Sequence, residues 1–137
     1  MDVTRTHGAF SWSELTTTDP AAAAAFYGAL FGWSVTAPMA EMGDYRLAQI
    51  GETSVAGIMA TPPGAPPMPP QWGCCVTVSD VDATVARVVE LGGTVLVPAM
   101  EVPGVGRMAV FQDPQGATLS VMTYAAWVGP GRTGRPG

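Results

Sequence analysis

One pattern occurs twice in the chain. Thr16 to Val35 reads TTTDPAAAAAFYGALFGWSV, and Thr77 to Val95 reads TVSDVDATVARVVELGGTV. Each is an extended run, an Asp able to cap a helix, roughly three turns of helical pattern, a Gly stop and a new extended run. Asp19 and Asp80 correspond, an offset of 61 residues. A period this long in 137 residues means two copies of one supersecondary unit, not a solenoid array. A β-α-β unit buries one face of its sheet under its helix. The other face must find a partner, and the second copy is the obvious one.

Composition narrows the chemistry. Charged residues make up 12% of the chain and the net charge is −5. There are six Arg and no Lys, so no basic patch marks a nucleic-acid partner. No apolar run approaches the ~20 residues of a membrane span, and MDVTRTHGAF lacks the apolar core of a signal peptide. The reading is a cytoplasmic protein with neither nucleic-acid nor membrane partners. Cys74 and Cys75 are adjacent. In a strand they point to opposite faces, so they read as reduced thiols. Without Lys, Schiff-base catalysis and a Walker-type phosphate loop are excluded. The single His, His7, excludes a multi-histidine metal site within one chain and would put a Ser-His-Asp triad beside the terminus.

Taken in order, residues 1–8 read as a flexible lead-in. Phe10 to Thr17 alternates as a strand, with Trp12, Glu14 and Thr16 on one face and Ser13, Leu15 and Thr17 on the other. Leu15 then faces the helix and Glu14 faces away from it. Thr18-Asp19-Pro20 starts a helix whose stripe is Phe26, Leu30 and Tyr27, and Gly32 ends it. Met39 to Gly43 reads as a turn. Tyr45 to Ile50 and Ser54 to Met59 read as a hairpin turned at Gly51-Glu52. Ala60 to Gln71 holds six Pro and reads as a stiff connector. Gln71 to Val78 opens the second module, with Gly73, Cys75 and Thr77 on the face matching Trp12, Glu14 and Thr16, and with Cys74, Val76 and Val78 under the helix. That helix carries Val81, Val85, Val88 and Leu91. Thr94 to Val97 is a strand and Pro98 to Gly106 a loop. Arg107 to Gln112 and Thr118 to Thr123 close the module through a turn at Asp113-Pro114-Gln115-Gly116. Residues 126–137, rich in Gly and Pro, read as a flexible tail.

Two βαβββ modules, the FYGALFGW segment and the FQDPQGATLSV ending together resemble the vicinal oxygen chelate superfamily, the group of glyoxalases, bleomycin-resistance proteins and extradiol dioxygenases. The resemblance covers about residues 9–125. It implies an α+β fold in which module one (9–59), a Pro-rich linker (60–71) and module two (72–125) form a curled mixed sheet around a central cleft. It also implies a homodimer. In enzymes of this superfamily a divalent metal sits in the cleft on His, Glu or Gln. The matching positions here are Trp12, Gly73, Ser120 and the stretch Val55 to Gly57. None is a good ligand, so no metal and no cofactor is expected.

What remains is an apolar cleft with a few polar groups. The candidate lining is Trp12, Glu14, Trp72, Cys75, Arg107, Phe111, Ser120 and Met122. Aromatic walls suit planar ligands. The leading reading is a metal-free protein that binds a hydrophobic or aromatic small molecule, for antibiotic sequestration or natural-product handling. The alternative is a metal-free isomerase, cyclase or lyase with Glu14 as general acid/base, because a carboxylate on a buried strand face has its pKa pushed upward. A structural Glu14 bonded to Arg107, Arg46 or backbone, a self-filled cleft in a scaffold protein, and a metal-dependent lyase or dioxygenase rank behind these.

Overall fold

The structure, a computed structural model, describes residues 1–39, 44–61, 68–102 and 105–125. Each copy of the repeat builds the same five elements. The first gives β1 (Phe10–Thr17), α1 (Pro20–Phe31), β2 (Ser34–Val35), β3 (Tyr45–Ile50) and β4 (Thr53–Ala60). The second gives β5 (Gln71–Thr77), α2 (Val81–Glu90), β6 (Thr94–Val102), β7 (Gly106–Gln112) and β8 (Thr118–Tyr124). The class is α+β with mixed strand pairing, as the repeat implies. No helix among the described residues is long and apolar enough to cross a membrane.

The chain divides into two compact units. One is Trp12–Gly73; the other is Met1–Ser11 together with Cys74–Gly137. The boundaries fall inside β1 and inside β5.

In the unit Trp12–Gly73 the strand order is β2-β3-β4-β1. β2, β3 and β4 are antiparallel neighbours, and β1 runs parallel to β4 with Glu14 opposite Gly57. Leu15, Ala48, Ala56 and Ile58 are buried on the face that α1 covers. Full burial of a side chain such as Ile58 contributes about 2 kcal/mol. Asp19 caps α1 by accepting the Ala22 N–H at 3.0 Å, with Pro20 in the first turn, and Gly32 ends it in the left-handed region.

In the other unit the order is β5-β8-β7-β6, with β5 parallel to β8 and the remaining pairs antiparallel. Val78, Val81, Ala109 and Val121 form its buried cluster, and Val76, Val85, Ala99 and Phe111 pack against it. The expected placement of Val76 and Val78 beneath the helix holds, but Cys74, expected there with them, is exposed.

Two expectations are corrected, and residues 1–8 make contacts that the sequence did not suggest. Val3–Arg5 forms a 3-10 turn capped by Asp2, the Thr77 hydroxyl donates to Val3 O at 2.6 Å, and the Ser79 N–H donates to His7 Nδ1 at 3.0 Å. The supposed loop from Pro98 belongs largely to β6, which runs to Val102. Because β6 is an edge strand and its register against β7 shifts between Val95 and Met100, Pro98 costs it no required hydrogen bond. On α1, Phe26 and Leu30 face solvent rather than the core, while Ala23, Ala24, Tyr27 and Gly28 lie on the more covered side. Small residues let the helix approach its sheet closely, which turns the large ones outward.

The tail at 126–137, most of the turn at Met39 to Gly43 and most of the Pro-rich connector lie outside the described residues.

Candidate functional site

The unit Trp12–Gly73 holds one polar group of unusual placement. Alternation along β1 sends Trp12 and Glu14 to the face opposite α1. Tyr45, the first residue of β3, lies on that same face. Its hydroxyl donates to Glu14 Oε2 at 2.7 Å and accepts the Trp12 Nε1–H at 3.0 Å. Three residues from two strands thus form a continuous chain: indole N–H, phenol O–H, carboxylate.

Gly57 makes the chain possible. It stands opposite Glu14 on β4 and opposite Leu47 on β3. A Cβ added there would collide with Tyr45 Oη, come within 2.6 Å of Tyr45 Cζ and within 3.2 Å of Trp12 Nε1. The phenol head therefore occupies the space that any other residue at position 57 would fill. Tyr45 itself is buried, while Trp12 and Glu14 keep partial access to solvent.

Burial pushes the Glu14 carboxyl above its ordinary value, and hydrogen bonds from Tyr45 and Trp12 pull back against that rise. Tyr45 reaches the Oε2 of this carboxyl, and an ionised carboxylate can accept several bonds. A partly accessible carboxyl with a raised pKa, backed by a phenol and flanked by an indole, can accept a hydrogen bond from a ligand hydroxyl. It can also keep its proton to a higher pH than an ordinary carboxyl.

The other candidates distribute as follows. Trp72 donates from Nε1 to the Tyr27 hydroxyl at 3.1 Å and makes edge contacts with Tyr27 and Trp33, beside α1. In the second unit, Cys75 is in register with Ser120, Ser120 with Val110, and Met122 with Met108. Cys75, Ser120 and Met122 therefore share the face opposite α2. Arg107 and Phe111 lie on the α2 side. Phe111 packs against the core cluster there. Arg107 forks onto Asp82 of α2 at 2.7 and 2.9 Å and reaches Glu101 at 3.2 Å. That pairing holds the Asp82 carboxyl below its ordinary value and raises the guanidinium. Arg46 pairs with Asp44 at 2.8 Å, so Glu14 has neither Arg as its partner and Tyr45 instead.

Sequence reading did not single out Tyr45. Its signal was available: the YRLAQI alternation puts Tyr45 and Leu47 on one face, next to a strand whose facing residue is Gly57.

The residues do not fit a divalent metal. The Trp12 Nε1 is a donor with no lone pair to give, Gly57 and Gly73 have no side chain, and a neutral Ser120 hydroxyl is a weak ligand. Among the described residues no three His, Cys, Asp or Glu cluster as a metal site would need.

With this geometry in hand, the comparisons with known proteins are informative. The family model described as a glyoxalase-like domain matches residues 12–122. The protein named "Putative glyoxylase CFP32" from Mycobacterium bovis is 42% identical over 117 residues, covering 83% of this chain and 45% of that protein. The anthracycline biosynthesis protein DauV from Streptomyces sp. is 37% identical, covering 95% of this chain and 52% of that protein. The chain thus spans about half the length of these relatives. Among solved structures, methylmalonyl-CoA epimerase from Mycobacterium tuberculosis superposes with a TM-score of 0.61 at 17% identity, covering 86% of this chain and 88% of that one. That likeness is one of fold.

Proposed function

The chain belongs to the glyoxalase-like domain family, the vicinal oxygen chelate relationship expected from its repeats, and from that premise we propose that it binds a hydrophobic or aromatic small molecule without a resident metal. Its role is natural-product handling or antibiotic sequestration, as a homodimer in the cytoplasm. The observation that carries this reading is the Trp12–Tyr45–Glu14 chain above Gly57. An indole offers a flat surface for an aromatic ring. The carboxyl beside it offers an acceptor for a ring hydroxyl. The relatives named for anthracycline biosynthesis support a polycyclic aromatic ligand. Cys74 and Cys75, adjacent on one strand and so ill placed to bridge each other, suit a reducing compartment.

The test is titration with an anthracycline, and with an aliphatic control of similar size, followed by tryptophan fluorescence and calorimetry. Saturable binding of the aromatic probe, weakened about tenfold or more in Trp12→Ala, is expected. Equal affinity for both probes, or no effect of Trp12→Ala, overturns the site. One divalent ion per chain in protein purified without chelator overturns the metal-free reading.

The raised Glu14 pKa favours a second reading, proton transfer during an isomerisation, cyclisation or lyase step on the same ligand class. Glu14→Gln then retains binding and loses turnover. The same variant has a stability signature. With its folded pKa raised above the ordinary 4.5, Glu14 contributes stability fully below about pH 4.5. That contribution is lost as pH rises through the folded value. Glu14→Gln lacks this loss, so its melting temperature falls less than that of the parent protein between acid and neutral pH. A parallel fall in both proteins would contradict the burial of the carboxyl.

A further inference from the structure

We infer that the outer face of α1 is the surface through which two copies of this chain associate; the inference rests on the homodimer reading and gives it a location.

The two helices hold equivalent places in their units, so their outward residues can be compared position by position. α2 shows solvent Asp82, Arg87 and Glu90, and pairs the last two at 3.0 Å. At the offset of 61, α1 carries Ala21, Phe26 and Ala29 in their place. α1 has no charged residue from Pro20 to Phe31. A helix standing in water presents a polar face, and one apolar all round is covered by something. Yet Phe26 is 60% exposed, Leu30 58% and Phe31 58%. The patch continues through the half-buried Tyr27 and Trp33 to Trp72, which is 39% exposed. Its rings touch: Tyr27 lies 5.0 Å from Phe26, 6.2 Å from Phe31 and 5.4 Å from Trp72, and Trp33 lies 5.1 Å from Phe31.

Two considerations commit this surface to a second copy. The first is area. With more than half of Phe26, Leu30 and Phe31, over a third of Trp72 and smaller parts of Tyr27 and Trp33 outside, the patch amounts to roughly 500 Å². A standard interface buries about 800 Å² per partner around an apolar, aromatic centre, so the patch matches that centre and leaves a polar rim to complete it. The second is charge. Two chains of net charge −5 repel, and a charge-free face is where they meet at least cost. A two-fold interface brings the same patch against itself, and a patch without charge meets no like charge there. A membrane surface would call for basic residues flanking the apolar face, and α1 has none. The relatives, about twice as long, have room in one chain for a second copy of the fold.

The experiment is the mass in solution of the full chain by sedimentation equilibrium, from about 1 to about 100 μM. The parent protein is expected to be a dimer. Phe26→Glu with Leu30→Lys keeps an i,i+4 pair that supports the helix. It should weaken association by about 100-fold with an unchanged circular dichroism spectrum. Val89→Glu, at an exposed position of α2, should leave the dimer intact. A monomeric parent overturns both the dimer and the face. A dimer that persists in the folded double variant overturns the face alone. If the double variant does not fold, Phe26→Ser alone decides the matter: unchanged association counts against the face, weakened association for it.

Discussion

α1 and α2 begin alike. Asp19 accepts the Ala22 N–H and Asp80 accepts the Ala83 N–H, both at 3.0 Å. Left-handed glycines, Gly32 and Gly92, follow the two helices. Between start and stop the copies diverge. α2 is amphipathic, with Val81 inward and charges outward; α1 is apolar on every side. The sheets diverge in the same way. The copy of the repeat with the apolar helix carries Trp12 and Glu14, where the other copy carries Gly73 and Cys75. Gly57 in one copy stands where Ser120 stands in the other, because each faces its matching first-strand residue, Glu14 and Cys75. Caps, stops and strand alternation make the fold and are shared. Ring stacking, a buried acid and an uncharged surface are concentrated in one copy, which a purely structural duplication would not require.

The largest effect expected from testing this asymmetry comes from giving one copy the residue of the other. Gly57→Ser places a side chain where the Tyr45 phenol lies, and overpacking of this kind costs about 3 kcal/mol. Urea denaturation should show it, together with loss of ligand binding. The reverse change, Ser120→Gly, removes a half-buried hydroxyl and should cost no more than about 1 kcal/mol. Similar costs in the two directions would contradict the packing around Tyr45.

An intermediate effect probes what the copies share. Asp19→Ala and Asp80→Ala each remove one capping bond and should each cost about 1 kcal/mol in the same measurement. A large inequality between them would break the equivalence of the two helix starts. The smallest effect belongs to Arg107→Gln, which releases the ion pairs from β7 to α2 and to β6. These ion pairs are exposed, so the change in melting temperature should be slight and should fade at high salt. A salt-independent loss would point to a different role for Arg107.

The fold was legible in the sequence because its signals are local. A capping Asp, a Pro in the first turn and a Gly at the end define each helix within a few residues, and the repeat itself supplied the topology. The candidate site was legible only in part. Trp12 and Glu14 followed from alternation along a single strand. Tyr45 did not, because its role depends on which strand lies beside Gly57. For Arg107 and Phe111, the face depends on strand parity, and a one-residue ambiguity in where a strand starts exchanges the two faces. The outward turn of Phe26 was hidden by a helix with no polar side to orient it.

The unit boundary inside β1 has a consequence for how the chain comes to be folded on the ribosome. Residues 1–11 are made before the residues they bond, which lie at the end of β5, in the turn after it and in β8. Ala9 O accepts from Thr77 N–H at 2.8 Å, the Gly8 N–H donates to Thr77 O at 2.8 Å, and the Ser11 and Tyr124 hydroxyls meet at 2.8 Å. The unit Trp12–Gly73 has all its strands once Gly73 is synthesised and can close early. The other can bond its opening segment once Thr77 and Ser79 have appeared, but the Ser11 contact must wait until Tyr124 is made. The segment is therefore a clasp with two catches, one closed at β5 and the other, at Ser11, closed last.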